Sequence, residues 1–307
     1  METKIKVIGV GGSGSNAVNR MAKSKIKGVE LIVVNTDAQD LAKARADLKI
    51  RIGKKTTQGL GSGMDPEIGR KSALENRQEI LDALKGADMV FITCGLGGGT
   101  GSGAVPVIAE AAKELGILTL AVVTTPFSFE GRVREKIASN AYRNLKEKVD
   151  TLISISNNKL LSTLDPGVSL LDAFWACDDI LRQAVQGISD LILLPGIINV
   201  DFADVKAIMA NAGSALFGVG RAQGEKRAER AALAAISSPL LDISPKGAKG
   251  LLFNISGGKD ISLSEIDEVA KVITREINPG AKVIFGAVQD EKLQKGEIKV
   301  TVIATGF

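Results

Sequence analysis

MVFITCGLGGGTGSGAVPVIAEAAKEL, residues 89–115, is the stretch on which the fold is decided. Its opening MVFITCG is apolar on both parities, as in a strand covered by helices on both faces. Its closing AVPVIAEAAKEL reads as a helix. Between them, residues 95–103 hold six glycines in nine positions, broken only by Leu96, Thr100 and Ser102. Such a run presents a concave line of backbone donors suited to a di- or triphosphate. A flexible linker is the plainer alternative, but linkers are not framed this tightly by a strand and a helix.

A second glycine loop lies upstream. IGVGGSGSN, residues 8–16, also follows a strand-like run and opens a helix. Gly9, Gly11 and Gly14 satisfy G-x-G-x-x-G, and Asp37 follows at about the distance expected of a ribose-binding acid. Alone, this motif marks a phosphate site or a tight structural turn. A nicotinamide-dependent dehydrogenase would use the first loop and leave the second without a purpose. Two glycine loops at the carboxyl ends of strands in one sheet can instead clasp one polyphosphate from two sides. Neither loop has the Lys-Ser or Lys-Thr of a P-loop, so the usual phosphate lysine is missing.

Working outward, the first 160 residues or so alternate between strand-like and helical segments at βαβ spacing, which predicts a parallel α/β sheet. Strands are expected at about 4–10, 30–35, 88–94, 117–124 and 150–155, and helices at about 13–24, 66–85, 102–115 and 131–147. A long helix is expected from Ser169 to Leu193, ended by Pro195 and Gly196. Shorter helices follow near 202–212, 223–236 and 262–277; Ser262 and Glu265 have capping-box spacing before the last. Strands close the chain at about 250–256, 281–288 and 297–305. In the last, Ile298, Val300, Val302 and Ala304 alternate with Glu297, Lys299, Thr301 and Ile303, a pattern for a sheet covered on one face. The expected organisation is a Rossmann-like domain over 1–168, a connecting helix over 169–195, and a smaller α+β domain over 196–307.

Composition narrows the chemistry. The chain has 307 residues, 45% hydrophobic, with a net charge of +4 spread without basic blocks and only 4% aromatics. Nucleic acid is therefore not an expected partner. No apolar run reaches membrane-spanning length, and METKIKVIGVGG lacks the features of a signal peptide, so a cytoplasmic setting is expected. Cys94 and Cys177 sit in apolar contexts and read as neither disulfide nor zinc ligands. The absence of histidine removes His-based triads and histidine metal sites. What remains is chemistry by carboxylates, arginines, amides, hydroxyls, or a metal held by oxygen.

Along the long helix, Leu171, Phe174, Asp178, Leu181, Val185, Ile188 and Ile192 recur in steps of three and four, a buried seam whose one polar member is Asp178. A carboxylate there needs a partner, either a structural one such as an arginine or backbone amide, or a ligand. Glu130 and Arg134 have the i, i+4 spacing of a solvated ion pair on a helix. Asp201 has the position of a helix cap, with Asp204 in the first turn of the same helix.

GGGTGSG, with NTDAQDL (35–41), GLGSGMDPEIGR (59–70), TPFSFEGRVR (125–134), SNNKLL (156–161) and GIINVDFADV (196–205), resembles the tubulin/FtsZ family over essentially the whole chain, and its bacterial FtsZ branch most. The resemblance implies a GTPase that binds GTP or GDP with Mg²⁺, the metal being carried mainly by phosphates and water. It implies phosphate contacts from Gly11, Gly12, Ser13, Gly97, Gly98, Gly99, Thr100 and Gly101. It assigns Asn16 to guanine, with helix capping as the alternative. Asp178 would accept the guanine N1–H and exocyclic amine, a donor pair adenine lacks, and Phe174 would stack on the base. Glu130 and Asn157 would meet the ribose and Arg134 the phosphate end. Asn158 stands where many relatives carry Asp, and Ser13 and Ser15 replace frequent glycines.

In the same resemblance, Asn199, Asp201 and Asp204 form a loop that enters the nucleotide site of a neighbouring subunit and activates water there. Head-to-tail self-assembly, division-machinery and membrane-anchoring partners, and a ring at mid-cell follow from it, without direct membrane insertion. Relatives extend further with a linker and a partner-binding peptide. A nucleotide-gated structural relative with poor hydrolysis is the remaining alternative.

Overall fold

The computed structural model describes residues 3–24, 26, 28–165, 167–194, 196–238, 247–275, 277–290 and 293–307. Pro195, expected to end the long helix, and position 276 of the last expected helix lie outside them. The chain divides into two compact units, 1–186 and 187–307, and the division falls inside the long helix.

The first unit is built on β1 (Ile5–Val10), α1 (Gly11–Ser24), β2 (Val29–Asn35), α2 (Ala38–Lys43), β3 (Leu48–Arg51), α3 (Pro66–Glu75), α4 (Arg77–Leu84), β4 (Met89–Gly95), α5 (Gly99–Glu114), β5 (Leu118–Thr125), α6 (Arg132–Lys146), β6 (Thr151–Ser156), α7 (Asn157–Leu161) and most of α8 (Leu170–Leu193). Its strands run in the order β3-β2-β1-β4-β5-β6, all parallel. The first six residues of β4 are buried, so the doubly apolar reading of MVFITCG holds. Helices on both faces supply the cover that such strands require.

Several features depart from expectation, among them the short helix α7, which was not predicted. The helix expected at 66–85 is broken at Asn76, whose Oδ1 accepts from the Gly53 amide at 2.9 Å and whose backbone leaves the helical region. The edge strand β3 and the short helix α2 were not predicted. Asp37 caps α2, its Oδ1 accepting from the amides of Gln39 and Asp40 at 2.8 and 3.1 Å. The acid that completes the dinucleotide fingerprint is therefore occupied locally, which removes the main support for a dehydrogenase.

The second unit holds the end of α8, then α9 (Phe202–Met209), β7 (Gly213–Gln223), α10 (Arg227–Ile236), β8 (Gly250–Gly257), α11 (Leu263–Arg275), β9 (Lys282–Gln289) and β10 (Glu297–Thr305). Its strand order is β7-β10-β8-β9, with antiparallel β7–β10 and β10–β8 pairs and a parallel β8–β9 pair joined through α11. The capping box at α11 forms as expected: Ser262 Oγ accepts from the Glu265 amide, and Glu265 Oε2 accepts from the Ser262 amide. One expectation fails in β10. From Val300 onward both parities are buried, Thr301 and Ile303 included. α10 and α11 pack a core against one face, and the end of α8 comes up to the other, where Gly187 lies against Thr301.

Candidate functional site

β1 and β4 are neighbours in parallel register, Gly9 opposite Thr93, so the glycine loops that follow them emerge side by side. α1 starts at Gly11 and α5 at Gly99, inside the two glycine motifs. Neither helix has an acidic residue in its first turn, and Gly98, which caps α5, offers no side-chain acceptor. The first backbone donors of both helices are thus left for an outside anion, with two positive dipole ends behind them. Gly11 has φ +69°, and a Cβ there would lie 3.2 Å from the Gly101 amide nitrogen, so the juncture of the two loops requires glycine.

The loops open into a cavity of about 440 Å³ lined entirely by the first unit. At one end stands Asp178, only 7% exposed. Its one ion-pair partner among the described residues is Arg20, whose Nε donates to Oδ2 at 3.4 Å while its guanidinium lies over the Trp175 ring. The arginine partner foreseen as the structural alternative exists, but the contact is long and serves one oxygen. Burial raises the carboxyl to about 6, with Arg20 opposing only part of that effect. A donor pair from a ligand would relieve this carboxylate. Cys177, beside it, also lines the cavity; burial first, then the charges of Asp178 and Glu130, push its thiol up to about 12.

Phe174 lines the same end, 38% exposed, with its ring edge-on to Phe127 at 5.3 Å. Leu171 is exposed too, so the seam of α8 is buried from Asp178 to Ile188, with Ile192 half-buried, and Phe174 is not a core residue. Asn16 sits within α1, past its first turn, where capping is impossible, and it faces the cavity.

Glu130 is not on a helix with Arg134. It ends a single 3₁₀ turn, Ser128–Glu130, and Gly131 at φ +95° separates it from α6. The two still meet, Arg134 Nη1 donating to Oε2 at 2.9 Å, while Oε1 accepts from the Phe127 amide at 2.9 Å. Asn157 opens α7, is 5% exposed, and its Oδ1 has no partner among the described residues although it borders the cavity. A buried acceptor so placed calls for a hydroxyl or amide donor from a bound molecule.

The structure therefore brings together Gly11, Gly12, Ser13, Asn16, Gly98, Gly99, Thr100, Gly101, Glu130, Arg134, Asn157, Phe174 and Asp178. Gly97 is not among the lining residues; its amide donates to Ser102 Oγ at 2.9 Å and holds the loop from behind. Ser62, Thr124, Pro126 and Cys177 line the cavity without having been singled out, although Ser62 stands in GLGSGMDPEIGR and Pro126 in TPFSFEGRVR.

Asn199, Asp201 and Asp204 lie in the second unit and are not among the lining residues. Asn199 Oδ1 accepts from the Gly196 amide at 2.7 Å and shapes its own loop. Asp201 occupies the cap position of α9, but its side chain makes no cap hydrogen bond, contrary to the structural reading. Asp204 is in the first turn, and both acids are exposed.

Two family models match the chain. The tubulin/FtsZ family GTPase domain matches residues 4–165, and the FtsZ family C-terminal domain matches residues 213–307. Among solved structures, an FtsZ dimer of M. jannaschii, without nucleotide, is similar at 46% identity with a TM-score of 0.96, covering 100% of this chain and 89% of that one. CetZ2 of Haloferax volcanii, a GTPγS-bound protofilament, is similar in fold at 22% identity and a TM-score of 0.82, over 98% of this chain and 92% of that one.

Proposed function

Because the chain belongs to the tubulin/FtsZ family and is a GTPase, we propose that it is a self-assembling cytoplasmic GTPase of cell division that completes its active site across a head-to-tail contact between copies. The observation that carries this is a mismatch between two sets of acids. Among the described residues, the only carboxylates lining the cavity are Asp178 at one end and Glu130, which is held by Arg134 and the Phe127 amide. The carboxylates of Asp201 and Asp204 have no hydrogen-bond or ion-pair partner among the described residues, and they stand exposed at the positive end of α9. One copy thus holds a polyphosphate cradle without a free acid, and another offers free acids without a cradle.

In this reading guanine lies at the Asp178 end, its N1–H and exocyclic amine donating to the carboxylate, with Phe174 against the ring. Asn157 Oδ1 and Glu130 take the ribose hydroxyls. The amides opening α1 and α5 hold the phosphates, with Arg134 near them. Asp201 and Asp204 of the next copy orient and polarise the attacking water, and Asn199 fixes their loop. The lining offers amides and hydroxyls rather than a cluster of carboxylates, so Mg²⁺ would be carried mainly by phosphate oxygens and water and would offset charge on the phosphates. A contact between unlike surfaces that does not close on itself produces filaments. The M. jannaschii dimer and the CetZ2 protofilament support the self-association. A place in a division ring follows from the family.

The test is phosphate release from GTP as protein concentration rises, with Mg²⁺ present and ATP as control. A rate per subunit that climbs above a threshold concentration, with ATP ignored, is expected. A rate per subunit independent of concentration would place the acids and the nucleotide in one chain and end the shared-site reading.

A further inference from the structure

Three hydroxyls from three separate segments meet beside the phosphate cradle. Thr36 lies between β2 and α2, Ser62 in the connection from β3 to α3, and Thr100 in the first turn of α5. Thr36 Oγ1 and Thr100 Oγ1 are 2.7 Å apart, and Ser62 Oγ and Thr100 Oγ1 are 2.9 Å apart. All three are buried, at 0%, 7% and 8% exposure for Thr36, Ser62 and Thr100. Thr100 and Ser62 line the cavity, while Thr36 does not. The approach of Ser62 depends on Gly99: a Cβ there would meet Ser62 Oγ and would lie 2.7 Å from the Asp65 amide nitrogen. The missing side chain at Gly99 thus serves to admit the 59–65 loop, while its backbone still lines the cavity.

Each hydroxyl carries one proton and accepts up to two bonds. Two O···O contacts use two of the three protons, and among the described residues none of these hydroxyls has another hydrogen bond. One proton is left over. Thr100 can donate only once, so three arrangements exist. Both neighbours donate to Thr100, leaving its proton over; or the chain runs from Thr36 through Thr100, leaving the Ser62 proton over; or it runs from Ser62 through Thr100, leaving the Thr36 proton over. The third strands a donor on a fully buried residue away from the cavity, which is the unfavourable case. In the other two, the spare proton is on a residue that faces the cavity.

We propose that Ser62 and Thr36 are positioning residues for the polyphosphate: they orient the hydroxyl cluster so that one O–H, on Thr100 or Ser62, is aimed at a phosphate oxygen. This rests on the cavity being the nucleotide site. The donor is pre-aimed because its neighbours already consume the alternatives, and each bond in the chain polarises the next. It also ties three chain segments to one acceptor on the ligand.

The experiment is displacement of a fluorescent guanine nucleotide by GTP, GDP and guanosine, for the wild type, Ser62→Ala, Thr36→Val and the double variant. Each single variant is expected to weaken GTP and GDP about two- to fivefold, and the double variant about tenfold, without changing guanosine. Ser62→Thr, which keeps the hydroxyl, is expected to restore phosphate-dependent affinity. Equal losses for all three ligands, or no loss, would overturn the proposal. If Thr36→Val fails to fold, Ser62→Ala decides alone. A wild type that holds GTP no better than guanosine would sink the nucleotide-site reading itself, and the proposal with it.

Discussion

The glycine cradle of the first unit and the 196–204 loop of the second, which the proposed function assigns to the same polyphosphate chemistry, are built in opposite ways. In the cradle, Gly99, Thr100, Gly101, Ser102 and Gly103 are all buried, and Thr100 is pinned by two hydroxyl neighbours. In the loop, the side chains of Asp201 and Asp204 are exposed and without a partner among the described residues, on a backbone held by α9, the Asn199–Gly196 contact and the hydrogen bonds of Ile197 and Ile198 with Ala287. Binding a charged ligand tightly requires donors fixed in place before it arrives. An acid that acts on a second copy must stay outside its own core. Under the proposed function, the difference between the two regions is the physical basis for separating binding from hydrolysis.

The separation is broken or sharpened most by Asp204→Ala. GTP affinity is expected to stay at the wild-type level while turnover falls about 10²- to 10³-fold, within the range for a lost acid or base. Mixing this variant with wild type and measuring phosphate release is the check. Unchanged turnover would erase the contrast.

Next in size is Asp178→Asn, on the binding side. Removing the charged acceptor is expected to weaken GTP by about 1.5–3 kcal/mol, roughly ten- to a hundredfold, and to narrow the preference over ATP. Calorimetric titration with both nucleotides reads it. The acidic loop should be untouched, so maximal turnover at saturating GTP should fall far less than affinity.

The same carboxyl gives the cradle a pH dependence that the exposed acids do not share. Guanine needs the ionised form, and the carboxyl is raised to about 6 in the unliganded protein, so GTP affinity is expected to fall about tenfold per unit below that pH. Stability of the unliganded fold moves the other way. A carboxyl raised on folding stabilises at low pH, and its contribution is lost as pH rises through about 6. Asp178→Asn should remove both trends, as read by affinity and by denaturation midpoint from pH 5 to 8.

The smallest effect belongs to Arg20→Ala. The guanidinium opposes part of the upward shift of Asp178, so its loss should move the pH midpoint of GTP binding upward. A midpoint that does not move would mean that Arg20 serves Trp175 and not the carboxylate.

Much of the cradle was legible in the sequence because its signals are local. A strand run, a glycine-dense turn and a helix start follow each other in the chain, and Asp178 stands out as a charge on an apolar seam. The order β3-β2-β1-β4 then sets the two turns side by side, a relation between distant segments that spacing alone implies but does not fix.

β7 shows why other parts were not legible. No strand was expected there, yet Gly218 and Gly220 lie mid-strand, where a Cβ at either would run into the backbone carbonyls of Ala235 or Ala231 in α10. The glycines are a record of a helix packed hard onto the strand. β3 was missed because four edge residues carry too short a pattern, and Glu130 was misplaced because Gly131 breaks the backbone without breaking the ion pair.

The sequence by itself determined that the chain has two glycine loops in a parallel α/β frame, no histidine, and a buried acid on the long helix. Only the tertiary structure decided that Asp37 is spent on a helix cap, that Phe174 faces the cavity and not the core, and that Ser62 and Thr36 converge on Thr100. The reason is range. Strand, turn and cap preferences act between residues a few positions apart and leave their mark in the order of the letters. A hydroxyl's partner is set by where separate segments are brought by packing, and serine and threonine in a loop read the same whether they face water or each other.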